Sequence, residues 1–192
     1  MSEAHTQAAA APAVSGPSRV GATGMWAFLA TDAMGFGGLF IAYGVLRVRA
    51  ASWPDPRAHL SLTLAAAMTF ALLASAFTMT QATRAAAARA RLAWLGATVG
   101  LGLAFLYGEI AEYRHLAAAA PMRLRGGDLY AGTFYALTGY HGLHVAAGVV
   151  CLLALARGSA RPRSLEVAAL YWQFVDLAWM PIFTFVYLLP AR

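Results

Sequence analysis

Leu92–Arg114 reads LAWLGATVGLGLAFLYGEIAEYR, and this stretch decides the fold. No charged residue interrupts it from Leu92 to Gly108. About 20 mostly apolar residues in a helix cross roughly 30 Å of hydrocarbon, so the segment is long enough to span a bilayer. Four further stretches qualify, at 24–47, 60–82, 132–157 and 167–189. None shows strand-like alternation, and in lipid an open chain satisfies its backbone polar groups only as helices. The reading is an all-α membrane protein, a bundle of five transmembrane helices over residues 24–192. Residues 1–23, rich in Ala, Pro and Ser, are expected to form a disordered N-terminal tail. They lack the charged start and apolar core of a signal peptide.

The connections carry the punctuation. Trp53-Pro54-Asp55-Pro56 closes the first span, and Arg84 to Arg91 separates the second from the third. Pro121 to Asp128, with Gly126-Gly127, and Arg157 to Arg163, with Pro162, supply the rest. Trp26, Trp94, Tyr130, Tyr171 and Tyr187 fall near span ends, where amphipathic rings sit at the headgroup level.

Composition agrees. Of 192 residues 60% are hydrophobic and 11% charged. Mean hydropathy is +0.60, well beyond a water-soluble domain. A net charge of +6 in a soluble chain would suggest nucleic acid. Here the basic residues lie between apolar runs and meet phospholipid headgroups, so no nucleic-acid partner is implied. All 14 basic residues are Arg, which with the abundant Ala points to a GC-rich bacterial genome. They divide seven against seven between the two faces, so charge gives no orientation. Cys151 is the only cysteine, which removes disulfide frameworks and cysteine metal sites.

An ionisable group in hydrocarbon costs roughly 2.5–3.5 kcal/mol, so each one in a span needs a reason. Asp32, Glu109, His141, His144 and Asp176 are the candidates. At about 1.5 Å per residue, Asp32 and Asp176 are expected roughly 12–14 Å below one face, with Glu109 and His141 nearer the other, giving two polar layers. His141 and His144, three apart, share a helical face that Glu109 could approach as a metal or haem site. A structural histidine bonded to a neighbouring helix is the favoured reading, and no metal site is assigned. Asp32 and Asp176 could line a transport path, but a transporter is expected to show repeats or interrupted helices. Neither is found in the sequence. Gly96, Gly100, Ala104 and Gly108 recur every four residues, a small-residue ladder expected to pack against a neighbouring helix.

Three segments together resemble the subunit III family of haem-copper oxidases (cytochrome c oxidase), in its short five-helix bacterial form. They are Gly24-Met25-Trp26-Ala27-Phe28-Leu29-Ala30-Thr31-Asp32, Thr138-Gly139-Tyr140-His141-Gly142-Leu143-His144, and Tyr171-Trp172-Gln173-Phe174-Val175-Asp176. The resemblance implies an accessory subunit with no catalytic residue and no cofactor of its own, in a proton-pumping oxidase complex of aerobic respiration. Haem and copper are then expected in the partners, subunits I and II, with cytochrome c as donor to the complex. It further implies structural phospholipids, a role in proton uptake, and placement in the bacterial inner membrane with the N-terminus cytoplasmic and the C-terminus outside. Two positions depart from the family pattern: Asp32 stands where Glu is usual, and Gln173 where His is usual. The alternatives are a component of a quinol oxidase or nitric oxide reductase system, and a standalone membrane enzyme or haem- or metal-binding protein using His141 and His144.

Overall fold

The computed structural model describes residues 17–55, 60–118, 129–158 and 162–189, with side chains from residue 21 onward. Five long helices make up these residues: α1 Pro17–Arg49, α2 Leu62–Arg84, α3 Ala88–Ala118, α4 Leu129–Arg157 and α5 Pro162–Ile182. Each is long and apolar enough to cross a membrane. Ser61 caps α2, its hydroxyl accepting from the Leu64 amide at 3.3 Å. Arg47 and Arg49, Arg84, His115 and Arg157 lie in the last turns of α1 to α4. Cations there complement the helix dipole and reach the headgroup layer.

The helices extend past the spans read from the sequence. α1 starts at Pro17, ahead of the expected boundary at residue 24, and α5 starts at Pro162. Asp32 and Asp176 sit near the middle of their helical segments.

α2 and α3 form an antiparallel hairpin, and α3–α4, α4–α5 and α5–α2 contacts close a ring of four. α1 lies outside this ring, packed chiefly on α4 and α5. Phe105, Trp172, Trp179, Leu72, Leu137 and Leu152 fill the interior. Outward stand Trp26, Met34, Ile41, Phe70, Tyr107, Leu143 and Leu177. The buried polar set is Asp32, Ser75, Thr78, Thr98, Glu109, Glu112, Thr138, His141 and Asp176. Acids inside and large apolar side chains outside on every helix is the arrangement lipid selects.

Close packing falls on Gly102 and Gly148, outside the expected ladder, and within it only on Gly108. The Trp172 indole lies between α3 and α4: a Cβ at Gly102 or at Gly148 would come within 2.8 Å of it. Gly108 meets Met68, whereas a Cβ at Gly96 or Gly100 would touch nothing within 4 Å. Ala104 also faces outward. A four-residue step overshoots the helical turn by about 40°, so three steps rotate the ladder by about 120°. Gly96 and Gly108 consequently cannot share one face.

The sequence reading found no interrupted helix, and α5 corrects it. Pro181 lies inside α5, and Phe183–Leu188 winds as a π-helix. Proline lacks an N–H and crowds the carbonyl four residues earlier, which loosens the helix around it. Two carbonyls of this segment accept hydroxyls from other helices: Tyr43 donates to Phe185 at 2.7 Å and Tyr130 to Val186 at 3.2 Å.

Candidate functional site

The ionisable groups in the spans are divided by helix pair, each seated at a different contact. Asp32 joins α1 to α4. Its Oδ1 accepts from the Tyr140 hydroxyl at 2.9 Å and lies 3.1 Å from His144 Nε2. The His144 Nδ1 is 2.7 Å from the Tyr140 carbonyl, one helical turn back. Tyr171 of α5 donates to the His144 carbonyl at 2.9 Å. Gly35 makes this possible, because a Cβ there would sit 2.9 Å from the Tyr140 hydroxyl.

Glu109 joins α3 to α4. Tyr113 donates to its Oε1 at 2.9 Å, and the Tyr113 and Thr138 hydroxyls are 2.7 Å apart. The carboxylate lies directly on the α4 backbone at Gly142, where any Cβ would collide with it. The Gly in the middle of His141-Gly142-Leu143-His144 is thus the seat for an acid from the neighbouring helix.

Asp176 joins α5 to α2 through Ser75. The Ser75 hydroxyl is 3.4 Å from Asp176 Oδ2 and accepts from the Trp172 indole at 2.9 Å. Trp179 donates to Thr69 at 2.9 Å along the same seam. Gln173 donates to the Ala76 carbonyl at 3.2 Å and to Thr80 at 3.1 Å. The amide at this position therefore serves as an interhelical donor, a task that needs no titratable proton.

His141 and His144 part company despite their spacing. His144 turns to Asp32, while His141 is fully buried among Phe105, Trp179 and Phe36, with ring centroids at 5.3, 5.1 and 6.4 Å. Neither ring nitrogen of His141 has a hydrogen-bond partner among the described residues. Nor, among those residues, do three or more His, Cys, Asp or Glu side chains gather as a metal set would.

Sequence reasoning missed Glu112, whose Oε2 accepts from the Tyr187 hydroxyl at 2.7 Å. It is buried, and an acid within 92–114 met the criterion that selected Glu109. The span read from the sequence ended at residue 114, two residues past Glu112. α3 continues to Ala118.

Fold and polar geometry together define a multi-pass helical membrane protein whose buried acids sit at separate helix contacts. Comparison with known proteins makes this specific. The family model for cytochrome c oxidase subunit III matches residues 2–190. Cytochrome c oxidase subunit 3 of Synechocystis is 34% identical over 178 residues, covering 86% of this chain and 74% of the relative. The same subunit of Thermostichus vulcanus is 33% identical over 177 residues, covering 86% of each. Subunit 3 of the cytochrome bo(3) ubiquinol oxidase of Pseudomonas aeruginosa is 35% identical over 181 residues, covering 88% of this chain and 84% of the relative. The chain belongs to the cytochrome c oxidase subunit III family, the non-catalytic accessory subunits of terminal oxidase complexes.

Proposed function

We propose that this chain packs beside the catalytic subunit of a proton-pumping terminal oxidase, stabilises it, holds phospholipid and supports proton uptake. The observation that carries the reading is the family match over residues 2–190, joined to a bundle whose buried acids are all tied to other helices or helix turns. Subunits I and II are the partners, with haem and copper on them, in a bacterial inner membrane. The N-terminus is placed in the cytoplasm and the C-terminus outside, with the residues from the start of α1 onward as the working unit.

Two surface features support the contacts this reading needs. The outward stripe of Gly96, Gly100 and Ala104 leaves room for a foreign helix to approach closely. A groove of about 440 Å³ runs between α1, α4 and α5, lined by Met25, Phe28, Cys151, Leu155, Val167 and Tyr171. Its apolar walls suit an acyl chain.

The donor admits two readings, because relatives at similar identity are named for cytochrome c and for ubiquinol. Cytochrome c is the first choice. A neighbouring gene for a subunit II with a CuA motif supports it, and a subunit II without one supports quinol.

Affinity purification of the tagged chain from its own membranes tests the proposal. The catalytic subunit should be recovered in stoichiometric amount, with phospholipid. Recovery of a stable chain alone contradicts the proposal.

A further inference from the structure

The Asp32–His144 contact fixes its own proton count. His144 Nδ1 lies 2.7 Å from the Tyr140 carbonyl oxygen. A carbonyl only accepts, so Nδ1 carries a proton. With that proton in place, a neutral ring presents a bare lone pair at Nε2. Nε2 is 3.1 Å from Asp32 Oδ1. If Asp32 were a carboxylate, two lone pairs would face each other across that distance, inside a bundle in lipid. The contact closes only with a second proton, carried on Nε2 or on Oδ1.

Both placements give the same sum. An imidazolium beside a carboxylate and a neutral ring beside a carboxylic acid each hold two protons and carry no net charge. The Tyr140 hydroxyl donates to the same Oδ1 at 2.9 Å in either case. Asp32 Oδ2 is buried without a partner. Among the described residues, the hydrogen-bond contacts of this cluster include no Arg side chain. Facing it are Tyr140 and His144 on α4 and Tyr171 on α5, with Phe36 tilted against the His144 ring at 5.3 Å and edge-on to the His141 ring at 6.4 Å. A neutral pair is the form that costs least in such surroundings.

We propose that Asp32 and His144 form a proton-binding site that holds two protons and joins α1 to α4 as an electrically neutral pair. The backbone of α4 sets the histidine tautomer. The site stands on this geometry whether or not Asp32 contributes to proton uptake by the complex.

Solid-state nitrogen NMR of the assembled complex, carrying ¹⁵N-histidine, tests it. The difference between wild type and His144→Gln isolates the His144 ring. The expected ring has a protonated Nδ1 and an Nε2 that shares a proton with Asp32. In Asp32→Asn the Nδ1 proton should persist, while Nε2 shifts to a plain acceptor from the new amide: one proton lost from the site. A bare Nδ1 with the ring's single proton on Nε2 overturns the proposal, because the pair then carries a net negative charge. The difference between wild type and His144→Gln decides this, so the test survives if Asp32→Asn fails to assemble.

Discussion

Asp32 and Asp176 are both mid-helix aspartates at helix contacts, yet their surroundings are built differently. Asp176 sits within the four-helix ring, where its partner is a serine hydroxyl and the neighbouring Trp172 wedges between glycines of α3 and α4. Asp32 sits where the outlying α1 meets the ring, and its partners are a phenol and an imidazole. Around α1, a Cβ at Gly24, Gly37, Gly38 or Gly44 would touch nothing within 4 Å. The ring is held by shape, with hydrogen bonds filling in. α1 is held by polar points, Asp32 at mid-helix and Tyr43 near its end, together with aromatic packing of Phe36 on Tyr140 and His144 and of Phe40 on Phe185. The same residue type thus takes part in a packed seam at one place and in a joint with a phenol and an imidazole at the other.

The contrast is sharpest at Trp172. Trp172→Ala empties the space between Gly102 and Gly148 and removes the donor to Ser75, so a loss of about 3–5 kcal/mol is expected, visible as poor yield and a lowered thermal midpoint of the complex. At Gly142 the effect is smaller. Gly142→Ala pushes a methyl into the Glu109 carboxylate, an overpacking cost of about 1–3 kcal/mol. Glu109→Ala in the same chain should restore stability in part, and absence of any rescue would show that the contact is not the cause. Asp32→Ala, at the joint, is expected to leave assembly largely intact while altering proton uptake or the lifetime of the enzyme in turnover. Unchanged kinetics over prolonged turnover would remove that role. Gly100→Leu should have the least effect on the fold of this chain, because the position is open. A weakened association with the catalytic subunit, at unchanged stability of the subunit itself, is the expected result. A fully stable, stoichiometric complex would show that this stripe meets lipid.

Periodicity and hydrophobic length made the five spans legible, since lipid leaves an open chain few other backbone solutions. The cost of burying charge singled out Asp32, Glu109, His141, His144 and Asp176 in the same way. Their partners were not legible. Tyr140, Tyr113, Tyr187 and Ser75 are ordinary residues for a helix, and only the crossing of two helices brings them to an acid. Gly142 shows the limit most clearly: its place between two histidines drew attention to metal binding, whereas its missing side chain seats Glu109. Of the ladder beginning at Gly96 only Gly108 packs inside the bundle, because a spacing of four does not hold one face over three turns. Pro181 was visible in the sequence, but the π-helix after it depends on tyrosines from α1 and α4 to occupy the carbonyls it presents.

The most direct measurement is the haem and metal content of the purified complex before and after this chain is stripped from it by detergent. All haem and copper should stay with the remaining subunits, and the released chain should show no visible absorption band. Haem or metal leaving with the chain in stoichiometric amount would contradict the account.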